Sequence, residues 1–361
     1  MILLCLLGLS AATAGDLEVR MDPNVELLQI VSRLAGYEEF IEEVPESDFL
    51  AAVDAHFGPH ADHPAVRTAR RLRERDGISY NAPASLAVAL DADQALRVSL
   101  SALGGGESRW HPRRTARYLR QLRRFRADAD FDGFWRAQAG SIAAIEQQYA
   151  DFYEAQDLIG FFDTMFGPVA GATYAVHPSV LAGYNSYGAS VVPAEGPLEF
   201  RPVMGVVGRE VAALEFQVMD YYLVVHEIGH AYFNPMVVAE EAALESGSTA
   251  VFAAERQTMQ SFAYTNWQTV AGETGTRAAT QLFARDRFDA ETVAYWASLD
   301  HDQGFHWVSG VADALQAWRD THAPGDMAGF GEPWNAAMTA WAEAPVRPGD
   351  GPAPAQAAPP E

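Results

Sequence analysis

Residues 221–235 read YYLVVHEIGHAYFNP and hold the pattern H-E-x-x-H at His226, Glu227 and His230. Residues four apart on an α-helix sit one above the other on the same face, so this spacing lets two imidazoles meet one zinc ion. Glu227, adjacent to the first histidine, can reach a water bound to such an ion and act as general base. The pattern therefore predicts a helix and suggests metal-assisted hydrolysis. Leu214 to Val225 are apolar enough for that helix to be buried, and buried polar groups are costly unless satisfied. The competing reading is two core histidines hydrogen-bonded to backbone, with Glu227 on a solvated edge. Pro235 cannot continue a helix and Asn234 suits its end, which predicts a stop one turn after His230.

Before this segment the apolar period is that of strands: ATYAVHPSVL (172–181), NSYGASVV (185–192) and LEFRPVMGVV (198–207), separated by Gly, Pro and Asn turns. NSYGASVV is a candidate sheet edge onto which an extended peptide could add, or an ordinary strand. Further upstream the period is helical. Asp22 is a plausible N-cap with Pro23 at the first position for a helix over 22–40, and two more fit 47–57 and 64–76. His60 and His63 fall in the loop between the latter pair and read as solvated. Residues 109–126 carry eight arginines with Tyr118, Leu122 and Phe125 interleaved, the pattern of a solvated basic face over a buried apolar one. Phe131–Phe166 continues as aromatic-rich helix. After the H-E-x-x-H segment, helices are expected at Glu240–Thr258, Ser261–Phe283, Asp289–Leu299, Val311–Trp318 and Trp334–Glu343. The fold class that follows is α+β, mainly α-helical, with a small mixed β-sheet preceding the H-E-x-x-H helix.

The chain has 361 residues and a formal net charge of -23, which argues against nucleic acid or an anionic membrane as partner. All 25 basic residues are arginine. Gly104-Gly105-Gly106 lacks any surrounding phosphate-loop pattern and reads as a turn. The first residues, MILLCLLGLSAATAG, resemble a signal peptide with cleavage after Ala14, though without a positive n-region. The run is too short to span a bilayer. This predicts an exported bacterial protein, periplasmic or secreted. Cys5 is the only cysteine, so a processed chain would offer no thiolate, and any metal must use His, Glu or Asp. The organisation read from these features is a leader over 1–14, a helical region over 15–166, a metallohydrolase region over 167–343 and a disordered Pro/Ala-rich tail over 344–361.

A catalytic zinc usually takes three protein ligands and a water. Glu240, Glu241, Glu245, Glu273, His301 and His306 are candidates for the third. Glu240 and Glu241 fit a helix start, where acidic residues favour the dipole. Glu245 is credible. Glu273 stands in a largely uncharged helical segment with Arg277 four residues on, where the guanidinium could orient it or simply pair with it. Tyr184, Tyr187, Tyr264 and His306 are unranked candidates to stabilise an oxyanion. Asn234 either supports the site or caps the helix.

At three places the chain resembles an uncharacterised bacterial family, classed as a domain of unknown function, of gluzincin-type zinc metallopeptidases. These are DPNVELLQIVSRLAG (22–36), HEIGHAYFNP (226–235) and the spacing Trp267, Glu273, Arg277, Ala278. The resemblance covers about residues 20–320. It implies a zincin-like core, Zn2+ held by His226, His230 and Glu273, and a peptide or protein substrate. Gly272 stands where the family pattern has asparagine, which opens the question of what supports the ligand there. The leading expectation is thus a zinc-dependent hydrolase, foremost a peptidase. The alternatives are a metallohydrolase of non-peptide amides or esters, and a non-catalytic exported helical binding protein with a structural metal site.

Overall fold

The computed structural model describes residues 17–104, 107–193, 198–206, 214, 216–262 and 264–345. The signal-peptide reading, Gly105 and Gly106, and residues 346–361 of the tail lie outside them. The protein is α+β and mainly helical, 65% helix and 7% strand. Chain order begins with β1 (Leu17–Val19), followed by α1 (Pro23–Leu34), α2 (Asp48–Phe57), α3 (Pro64–Asp76) and α4 (Asn81–Ala87). Next come α5 (Pro112–Asp128), α6 (Phe131–Ala137), α7 (Ala139–Glu154) and α8 (Leu158–Phe166). The strands β2 (Thr173–Ser179), β3 (Ser186–Tyr187), β4 (Ser190–Val191), β5 (Glu199–Phe200) and β6 (Val203–Gly205) follow. The chain then returns to helix: α9 (Val218–Ala239), α10 (Glu241–Ala254), α11 (Arg256–Ser261), α12 (Trp267–Arg287), α13 (Ala290–Asp302), α14 (Val308–Arg319) and α15 (Gly331–Glu343).

Local chemistry accounts for the boundaries. Asp22 caps α1 by accepting from the Asn24 N–H at 2.7 Å, with Pro23 at the first position. Helix α3 starts at Pro64 behind a His63 cap and stops at Gly77, whose φ of 67° only glycine adopts freely. His63 is therefore not simply solvated: its Nδ1 accepts from Ala65 N and its ring packs on Phe125. On α5, Tyr118, Leu122 and Phe125 are buried, while Arg114 pairs with Asp76 and Arg126 with Asp132, each at 2.8 Å.

The sheet runs β3-β6-β2-β5-β4, with β1 also pairing β2. Strands β1, β5 and β6 are parallel to β2, and β3 and β4 are antiparallel to β6 and β5. The two halves of NSYGASVV thus sit at opposite ends of the ladder. The β4 end is already covered, since Gly104 N donates to Ser190 O (2.9 Å) and Val192 N to Ala102 O (2.7 Å). Strand β1 belongs to the first region and β2 to the second, so the sheet runs across residue 166, as does the continuous apolar core from Met21 to Met338. Among the described residues, no helix is long and apolar enough to cross a membrane.

The expected end of the H-E-x-x-H helix also fails. Helix α9 does not stop at Asn234 but runs through Pro235 to Ala239. Proline forfeits one backbone hydrogen bond and crowds the preceding turn, a penalty of about 3 kcal/mol in a helix interior. Burial flanks the proline: Phe233, before it, is fully buried between Phe166 and Trp334, and Val237, beyond it, is buried in the core. A buried phenylalanine contributes roughly 1.5–3 kcal/mol. Asn234 is therefore a mid-helix residue, not a cap.

Candidate metal centre

Two buried helices, α9 and α12, carry the site. A capping box starts α9: the Gln217 side chain accepts at the first turn, and the Asp220 carboxylate accepts from Gln217 N at 2.6 Å. Its apolar residues Val224, Val225, Ile228 and Ala231 are all buried, so His226, Glu227 and His230 project from a core element. Helix α12 is capped by Asn266, which accepts from Thr269 N at 2.8 Å, and is buried continuously from Val270 to Ala284. The two helices come close where Gly229 faces Thr276; an added Cβ would lie 3.0 Å from Thr276 Cγ2. That approach brings Glu273 alongside the histidines.

Glu273 Oε1 lies 3.4 Å from His230 Nε2, and Oε2 lies 3.6 Å from His226 Nε2. One ligand atom from each residue falls within 4.8 Å of the other two, the only such cluster among the described residues. Thr276 Oγ1 approaches His230 Nδ1 at 3.4 Å, which favours presentation of Nε2. Burial pushes His226 down to about 3, with His230 and Arg277 adding to the effect against Glu273, so its imidazole is neutral at physiological pH, as metal ligation requires. Burial would raise Glu273, but His230, His226, Arg277 and the Tyr264 hydroxyl outweigh it and hold the carboxylate below its usual range. Glu273 Oε2 is buried without a hydrogen-bond partner. A buried carboxylate oxygen in that state suits a cation, so the donor set fits a zinc ion. Burial pushes Glu227 up to about 7, Glu273 adding to it and His230 and Arg277 opposing.

The other sequence candidates separate. Glu245 is exposed on α10, outside the cluster. Asn234 is exposed and abuts Gly272, where a Cβ would lie 3.0 Å from Asn234 Oδ1; the missing side chain at 272 leaves room for that amide. Tyr184 is 65% exposed, and its backbone N–H bonds Glu43 O. Tyr187 is buried against Phe40. Of the four oxyanion candidates, Tyr264 is the one whose hydroxyl acts on Glu273, helping to lower its pKa. His306 meets His301 edge-on and stacks on Trp341. Arg277 stands by Glu273, with Nε 3.6 Å from Oε2.

Three contributors escaped the sequence reading. Gly188, in the bend between β3 and β4, lies so close to Glu227 that an added methyl would overlap the carboxylate; a glycine between two short strands is the only signal, and a general one. Thr276 had a better one, three residues from Glu273 on the same helix. Asp300 on α13 had none: it receives Arg277 Nη1 at 2.8 Å and the Tyr222 hydroxyl at 2.7 Å.

The family model described as a domain of unknown function, DUF4932, matches residues 17–322. The chain belongs to this family. The DUF4932 match begins at β1 and contains α9, α12 and α13, so every residue of the cluster lies inside it. No curated protein and no solved structure matches the chain.

Proposed function

We propose that the protein is a zinc-dependent hydrolase of gluzincin type, acting on peptides as an exported metallopeptidase. The observation that carries this reading is the convergence of His226, His230 and Glu273, with the half-buried Glu227 carboxylate on the same helix as the histidines. These three residues would hold the zinc. Zinc bound there would supply Lewis-acid polarisation of a carbonyl and a nucleophile at neutral pH. Glu227, with its carboxyl near neutrality, takes a proton from the water whose oxygen bonds the carbonyl carbon and gives it to the amine as the C–N bond breaks. Tyr264, which burial keeps protonated, offers its hydroxyl as a hydrogen-bond donor beside Glu273. Thr276 holds His230 in orientation. Gly188 leaves the space in which the Glu227 carboxylate stands.

The test is hydrolysis of a quenched-fluorescent peptide library by zinc-reconstituted protein, beside Glu227→Gln. The variant is expected to keep one equivalent of zinc and to lose hydrolysis. Unchanged hydrolysis in the variant removes Glu227 as the base, and failure of the wild-type chain to bind zinc sinks the reading. Hydrolysis of esters or non-peptide amides but no peptide would change the substrate class while leaving the metal chemistry.

A further inference from the structure

Arg277 lies against the proposed third ligand yet spends most of its hydrogen bonds elsewhere. Nη1 is 2.8 Å from Asp300 Oδ1 and 3.2 Å from the Tyr222 hydroxyl, and Nη2 is 2.9 Å from Gln303 Oε1. The guanidinium lies 3.9 Å from the Phe305 ring centroid. Asp300 is 1% exposed and fixed in turn, its Oδ2 accepting from Gln281 Nε2 at 2.7 Å. Only Nε turns toward Glu273, at 3.6 Å, and neither Nε nor Glu273 Oε2 has a hydrogen-bond partner. The pair is near enough to feel each other's charge and too far apart for a direct bond.

An arginine beside a buried carboxylate ordinarily closes on it with two parallel hydrogen bonds, the strongest geometry the pair has. Were Arg277 to do so, both Glu273 oxygens would be occupied and the metal would compete with a guanidinium for them. We propose that Asp300 is a positioning residue that holds Arg277 back from Glu273, so that the carboxylate stays oriented but free to ligate. The inference rests on the metal reading of His226, His230 and Glu273. It has a sign that simple structural support lacks: once Asp300 stops competing, Arg277 becomes harmful to metal binding, and removing Arg277 should undo the damage.

The experiment measures zinc affinity by chelator competition, and the visible absorption of the Co2+-loaded protein, for wild type, Asp300→Asn, the double variant Arg277→Gln/Asp300→Asn, and Glu273→Ala. Asp300→Asn should weaken zinc roughly 10- to 100-fold, the range for residues that orient ligands. Its Co2+ spectrum should move toward that of Glu273→Ala. The double variant should return to within about three-fold of wild type, because the competing guanidinium is gone and no buried charge is stranded. Wild-type affinity in Asp300→Asn overturns the proposal, and so does a double variant as weak as the single one. If Asp300→Asn does not fold, Gln303→Ala releases Nη2 without stranding a charge and should weaken zinc several-fold; no change there overturns the proposal. Unaltered affinity in Glu273→Ala would instead sink the metal reading itself.

Discussion

Glu26 on α1 and Glu227 on α9 are helix carboxylates that burial pushes up to the same value, about 7. Their neighbourhoods differ. Glu26 is buried beside Ser179 and Val180, and Gln29 and His177 are buried as well. Ser179 directs its hydroxyl to Gln29 at 2.5 Å, and His177 Nδ1 meets Arg20 O at 2.7 Å. Glu26 Oε1 and Oε2, Gln29 Nε2 and His177 Nε2 are buried without hydrogen-bond partners, yet these groups are not among those whose ligand atoms converge on one point. Around Glu227, two histidines and a second carboxylate do converge, and Gly188 leaves the Glu227 carboxylate its space. A displaced pKa records burial in both places; only the convergence of donor atoms distinguishes a site from a polar patch in the core.

The largest expected effect breaks the comparison directly. Glu227→Gln should lower peptide hydrolysis by about 100- to 10,000-fold, the range for loss of a general base, while zinc stoichiometry stays at one. Glu26→Gln should leave both unchanged. Steady-state rates with metal analysis decide it; comparable losses in the two variants would mean that the Glu227 effect is structural. Next in size, Glu273→Ala should lower zinc affinity by at least about 100-fold, and Glu245→Ala, exposed on α10, should not. The reverse order would move the third ligand to α10.

Legibility in the sequence followed the range of the interactions. Helix α3 lies at 64–76 as read, because its start and stop are set by adjacent residues, His63-Pro64 and Gly77. The three H-E-x-x-H residues were readable for the same reason. The overrun of α9 past Pro235 was not, since it depends on the core that distant segments build around Val237 beyond the proline. Glu273 lies between the two cases: its isolation in an uncharged helix is a local signal, but its position beside His230 depends on the close approach at Gly229 and Thr276. Gly188 and Asp300 act only through tertiary contact, which no local pattern encodes. The covered β4 edge was hidden likewise, because Ala102 and Gly104 occupy it from far upstream.

A pH measurement sharpens the contrast from the Glu26 side. Its folded pKa, about 7, exceeds the ordinary 4.5, so the folded protein holds that proton more tightly than the unfolded chain does. The associated stability is fully present below about pH 4.5 and is lost as pH rises through 7. Glutamine keeps the neutral shape. Glu26→Gln should therefore match wild type in urea melts at pH 4.5 and exceed it by roughly 3 kcal/mol at pH 8, from 1.36 kcal/mol per pKa unit over the rise from 4.5 to about 7. Equal stability at both values would mean that Glu26 is charged and solvated in the native protein.

The smallest effect concerns Gly188. A methyl there would overlap the Glu227 carboxylate but would stand 3.9 Å from His230 Cδ2, an ordinary contact. The obstruction is the far end of a flexible side chain, so Glu227 can swing aside without disturbing the bend between β3 and β4. Gly188→Ala should leave zinc affinity unchanged and stability within about 0.5 kcal/mol of wild type. Turnover should fall about ten-fold, since a base moved by an ångström loses alignment more than charge. The equivalent change beside the other carboxylate, Gln29→Ala, should do the opposite, lowering stability by about 1–3 kcal/mol through lost buried hydrogen bonding and leaving turnover alone. If Gly188→Ala costs stability and spares turnover, the bend is only a fold element, and the likeness of the two carboxylates extends further than their surroundings suggest.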